Sequence, residues 1–145
     1  MNYFKWFLVL TCALVVSALV VHEARSQASS GGGSAVNVSG PYPARGTVIG
    51  NGTVTRIGPR YAAAYTISLY RIPPGAVRGR FVTSSGAQVP RDGQQVNVTT
   101  RAFCRAERRP SGWFTILRVN SIPRRGAKPV LIRSQSRTVM LRCGA

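Results

Sequence analysis

From Gly46 to Cys143 the sequence is cut into short runs by segments that carry Gly or Pro at close intervals. The runs are GTVIGNGTVTRI (46–57), YAAAYTISLYRI (61–72), VRGRFVTS (77–84), QQVNVTTRAFC (94–104), WFTILRVNSI (113–122), PVLIR (129–133) and TVMLRC (138–143). Between them stand IPPG, PRDG, RPSG and PRRG. Proline fixes φ and removes a donor, and glycine permits positive φ, so each such segment interrupts a regular element. Apolar residues recur with no helical period across the region, except that Tyr61 to Ala64 could begin a short turn, and Val, Ile, Thr and aromatics dominate the runs. This spacing predicts an all-β domain, a small closed or partly open barrel, with a β-sandwich as the alternative.

Strand parity predicts which side chains face inward. In QQVNVTTRAFC, Val96, Val98, Ala102 and Cys104 share one face, and Asn97, Thr99, Arg101 and Phe103 the other. Near the carboxy terminus Val139, Leu141 and Cys143 align against Thr138, Met140 and Arg142. Both cysteines therefore fall on the apolar side, with Arg101 and Arg142 outside. In YTISLYR the inward set is Tyr65, Ile67 and Leu69, and Arg71 shares that face at the strand end with no role assigned. Phe103, Trp113 and Phe114 lie within strand-like runs and are read as packing residues rather than as a platform for stacking bases.

The first residues have a different character. MNYFK is followed by WFLVLTCALVVSALVV, uncharged from Trp6 to Val21, and by the polar exit HEARS. That is the order of a secretory signal, with cleavage expected after Ala24-Arg25-Ser26, and the run is shorter than the roughly 20 residues of a membrane span. An uncleaved anchor is the alternative. Residues 27–44, beginning QASSGGGSAVNVSG, are rich in Gly and Ser and carry no charge, and read as a flexible leader to a basic domain at 45–145.

Loss of residues 1–26 narrows the chemistry sharply. Cys12, His22 and Glu23 leave with them, so the 119 remaining residues hold no histidine, two acids (Asp92 and Glu107) and two cysteines (Cys104 and Cys143). General acid–base catalysis draws on histidine or on paired carboxylates. Zinc draws on three or four Cys, His or carboxylate ligands, and calcium on several carboxylates. A cysteine nucleophile needs a base to form its thiolate. None of these sets can be assembled, so the expectation is a non-enzymatic protein with no metal and no cofactor.

An even cysteine count in an oxidising compartment predicts a Cys104–Cys143 disulfide, the alternatives being a bridge to another chain or free thiols. The charge calls for a partner. After cleavage, 18 basic residues (17 of them Arg) face two acids, a net charge of +16. Self-repulsion on so small a domain is relieved by anions. The basic residues concentrate at Arg105, Arg108 and Arg109, at Arg124, Arg125 and Lys128, and at Arg133 and Arg137. These are the candidate polyanion-binding residues, expected to form one basic face, against the plainer reading of a generally basic surface. Arginine forks take sulfate, phosphate and carboxylate in pairs of hydrogen bonds. Asn37, Asn51 and Asn97 begin N-x-S/T motifs and are candidate N-glycosylation sites, and Asn51-Gly52 is also a hairpin-turn signal.

The segments GTVTRIGPRYAAAYTISLYRI, VTSSGAQVPRDGQQVNVTTRAFC and VMLRCGA, in this order over about residues 45–145, resemble netrin-like domains, the OB-type barrel shared with tissue inhibitors of metalloproteinases. The resemblance implies an OB-like barrel. Those inhibitors chelate the protease zinc with a cysteine at the mature amino terminus, and here no cysteine precedes Cys104 after cleavage, which argues against that activity. The expected function is that of a secreted extracellular protein binding acidic polysaccharide or acidic matrix protein, as in a connective matrix, a shell or another biomineral. Nucleic acid is disfavoured by the signal, and membranes are met through surface charge alone. A cationic host-defence protein and a loop-mediated protease inhibitor are the alternatives.

Overall fold

The computed structural model describes residues 27–31, 34–56, 61–89, 94–123 and 128–143. The expected signal peptide lies outside them, as do Asp92, Arg124 and Arg125. Every regular element among the described residues is a strand. In chain order they are β1 (Gln27–Gly31), β2 (Ser34–Val38), β3 (Tyr42–Ala44), β4 (Thr47–Arg56), β5 (Tyr61–Ile72), β6 (Arg80–Val89), β7 (Gln95–Phe103), β8 (Ser111–Pro123), β9 (Val130–Gln135) and β10 (Val139–Leu141).

Two antiparallel sheets form on the same plan. In sheet A the central strand is β4, which pairs along one edge with β7 and along the other with β3 and then β2, while β1 lies outside β2. In sheet B the central strand is β8, flanked on one edge by β5 and β6 and on the other by β10 and then β9. The sheets do not close into a barrel. Of the two arrangements left open by the turn spacing, the sandwich is the one adopted.

Each sheet contains one strand broken in the middle, and a serine repairs each break. Between β2 and β3, the Ser39 amide donates to Asn51 O at 3.2 Å. Between β9 and β10, the Ser136 amide donates to Thr115 O at 2.9 Å, and the Thr115 amide donates to Ser136 Oγ at 2.9 Å. The backbone groups beside each gap thus keep partners, as buried amides require.

Residues 27–44 are not a leader. They supply β1, β2 and β3, and Val36 and Val38 are buried in the core. The Gly/Ser content of the segment as a whole conceals the alternation in SAVNV, whose Ser34, Val36 and Val38 all point inward. Asn51-Gly52 is not a turn either, since both residues sit mid-strand in β4. The β3–β4 hairpin turns instead at Arg45-Gly46, with φ of +40° and +74°. The 77–84 run also shifts, β6 extending through SSGAQV to Val89 because β5 pairs with it almost to the end.

The core is made between the sheets. One cluster joins Val36, Val38, Val54 and Val98 of sheet A to Ile67, Leu117, Val119 and Ile132 of sheet B. A second, at the other end, joins Val48 and Ala102 to Leu69, Trp113, Leu141 and Cys143. Ser34 and Ser121, both buried, share a hydrogen bond of 2.9 Å across the sandwich. Close approach depends on glycine at two inward positions of β4. A Cβ at Gly50 would stand 2.7 Å from Thr115 Oγ1, and one at Gly52 would stand 2.6 Å from the Asn37 backbone oxygen and 3.1 Å from Leu117.

Cys104, just beyond β7, and Cys143, just beyond β10, form the disulfide, with Cα atoms 5.4 Å apart. The bond links sheet A to sheet B. Closing a loop with a sequence separation of 39 stabilises by about 4 kcal/mol on the chain-entropy model. Cys104→Ser should therefore lower the melting temperature substantially, and equal melting of variant and parent in a thermal scan would contradict a stapling role. Gly52→Ala should cost about 1–3 kcal/mol in denaturant unfolding, because the clash is with backbone that cannot rotate away.

Candidate polyanion-binding surface

The end of the sandwich that holds the disulfide draws three connections together. The Cys104 amide donates to Gly46 O at 2.9 Å, which fixes the β3–β4 turn against the end of β7. The Glu107 amide donates to Cys143 O at 3.2 Å, which fixes the β7–β8 connection against the carboxy-terminal segment. Arg45 lies in the first of these, Arg105, Arg108 and Arg109 in the second, and Arg142 in the third, and all five are exposed. Arg45 and Arg142 line a depression of about 180 Å³ beside the disulfide, with Gly46 and Thr47.

Arg45 holds its position at a conformational cost. Both central residues of a two-residue hairpin turn with φ > 0 favour Asn or Gly. A non-glycine residue there costs roughly 1–2 kcal/mol, and arginine has no short side-chain oxygen to offset it. The fold therefore accepts some strain in presenting this guanidinium beside Arg142.

Glu107 is the only carboxylate side chain among the described residues, and it is committed internally. It pairs with Arg71 Nη2, and Ser111 Oγ donates to its other oxygen at 2.6 Å. Arg71 Nε in turn donates to Ser111 Oγ at 3.2 Å. This network answers what Arg71 does on the inward face of β5: it closes the core end over buried Ser111. It also leaves Arg45, Arg105, Arg108, Arg109 and Arg142 with no carboxylate partner among the described residues.

The other expected site residues are dispersed. Lys128 precedes β9 and so lies at the far end of β8, which spans 13 residues or about 40 Å. Arg133 faces outward from sheet B, directly opposite Arg118, and Arg137 is exposed in the β9–β10 connection. Arg124 and Arg125 lie outside the described residues. Lys128 thus stands apart from 105–109, because the two lie beyond opposite ends of β8. Arg45 and Arg142 were missed as site residues, isolated as they are in sequence from any charge run. A glycine after Arg45 was the one local signal of the turn.

The aromatics divide. Trp113 is buried, and Phe114 stacks on Tyr70 with centroids 5.1 Å apart. Phe103, expected to pack, is instead 92% exposed at the end of β7. The three N-x-S/T motifs fall on β2, β4 and β7, adjacent strands of sheet A.

Compared with protein-family models, with curated proteins and with solved structures, the chain matches none.

Glu107→Gln should leave Arg71 without its counter-charge and lower stability by about 1–2 kcal/mol, a value discounted for partial solvent access. Urea unfolding at low and high salt measures it. A loss that vanished at high salt would mean that surface electrostatics rather than the Ser111-linked hydrogen bonds hold the pair.

Proposed function

We propose that the protein is a secreted, non-enzymatic component of an extracellular matrix, such as that of a connective tissue, a shell or another biomineral. On this reading it binds acidic polymer, a sulfated or carboxylated glycan or an acidic matrix protein, through the arginines at the disulfide end. The observation that carries the reading is the convergence of Arg45, Arg105, Arg108, Arg109 and Arg142 around one covalent link while the single described carboxylate is turned inward. Five guanidiniums on three tethered connections repel one another, and a polyanion spanning them relieves that repulsion. Their fork geometry suits sulfate and carboxylate alike.

Replacing these five arginines by glutamine should reduce the salt concentration needed for elution from heparin. It should also flatten the dependence of log affinity on log salt by up to about 0.7–0.9 for each anionic group no longer neutralised, as for phosphates of nucleic acid. The matched control replaces Arg78, Arg80, Arg118, Arg133 and Arg137. Equal losses in the two variants would mean bulk charge without a localised site. Permeabilisation of anionic vesicles at the concentrations that bind heparin would favour host defence instead.

A further inference from the structure

The three N-x-S/T motifs make one surface. In a strand, residues two apart share a face, so each motif presents its asparagine and its hydroxyl together. Register aligns the three copies: Asn37 opposes Thr53, Thr53 opposes Asn97, and Asn51 opposes Thr99. Ser39 completes the second row, its hydroxyl donating to Asn51 Oδ1. The result is a two-by-three grid on the outer face of sheet A, Asn37–Thr53–Asn97 beside Ser39–Asn51–Thr99. These six side chains line an open depression of about 380 Å³. Asn37 Oδ1 is an acceptor that the fold leaves without a partner.

The grid carries no charge, and it alternates amides with hydroxyls at strand spacing, about 4.8 Å across and about 6.7 Å along. Each amide brings donors and an acceptor and each hydroxyl one donor and two lone pairs, and only the Ser39 proton is already given, to Asn51 Oδ1. Such a surface matches a ligand dense in hydroxyls rather than one dense in charge. The same face continues along β7 to exposed Arg101 and Phe103. Phe103 adjoins Cys104, so the face runs directly into the arginines of the disulfide end.

We infer that this face is a binding platform for a linear acidic polysaccharide. The chain's sulfate or carboxylate groups engage Arg101 and the disulfide-end arginines, Phe103 stacks on the apolar C–H side of a sugar ring, and the grid hydrogen-bonds the sugar hydroxyls. The inference rests on the polyanion reading above and narrows it to glycan, because an acidic peptide or a bare polyphosphate has no array of hydroxyls to satisfy the grid. It also assigns the motifs a role opposed to modification, since a glycan attached at Asn37, Asn51 or Asn97 would cover the platform.

The test compares two probes, a size-defined heparin oligosaccharide and inorganic polyphosphate of matched charge, titrated into the purified protein and into the Asn97→Ala/Phe103→Ala variant. Both substituted side chains are exposed on β7, an edge strand of sheet A, and the melting temperature reports whether the fold survives. Oligosaccharide affinity should fall at least about tenfold, with polyphosphate affinity unchanged within about twofold. If neither probe loses affinity, or both lose it equally, the platform is overturned and the arginine site stands. If the parent binds neither probe, both readings fall. An intact mass of the protein from its source that includes N-linked sugar on any of the three asparagines would also overturn it.

Discussion

The disulfide ties the two sheets together at one end of the sandwich. Cys104 and Cys143 follow the last residues of β7 and β10, one in each sheet, and their bond closes the sandwich at the end where Trp113, Leu69 and Leu141 form the second core cluster. Two backbone hydrogen bonds next to it, Cys104 to Gly46 and Glu107 to Cys143, bring the β3–β4 turn and the β7–β8 connection onto the same spot. Connections of an open sandwich are ordinarily the mobile part of a fold. Here a covalent link and two amides hold three of them in place, and those three carry the arginines.

Glu107 makes that end both stable and strongly basic. By taking Arg71 and Ser111 as partners it completes the hydrogen bonding of a buried serine and screens one arginine at the mouth of the core. The same commitment withdraws the one described carboxylate from the surface. Local packing and long-range field are therefore coupled through a single side chain, and the field it leaves behind is what an acidic polymer would meet first. The uncharged Asn/Thr/Ser grid on sheet A lies beyond that end, along β7, so the arginines and the grid occupy adjoining parts of one face.

Much of this fold is legible in the sequence. The parity of QQVNVTTRAFC and TVMLRC put Val98, Ala102, Leu141 and both cysteines inside, and Arg101 and Arg142 outside, because period-two alternation is a local property that pairing preserves. What failed was whatever depended on pairing partners. SAVNV is five residues inside a Gly/Ser-rich stretch, and only its ladder with β4 makes it a core strand. Asn51-Gly52 resembles a turn until β7 pairs along it. The expected basic face is drawn from three charge runs, whereas Arg45 and Arg142, which stand in no run, join the 105–109 loop at the disulfide end through a bond between distant cysteines. The three motifs could be seen one by one, but their alignment into a grid is a consequence of strand register, which no single segment contains.

The measurement that bears most directly on an arranged arginine site is the elution of the purified protein from heparin and from a plain cation exchanger of equal charge density. A site built by the disulfide end holds the protein on heparin to a higher salt concentration than on the exchanger, and reduction of Cys104–Cys143 removes the difference. Equal elution from the two supports, before and after reduction, would contradict it and leave only the overall charge to explain binding.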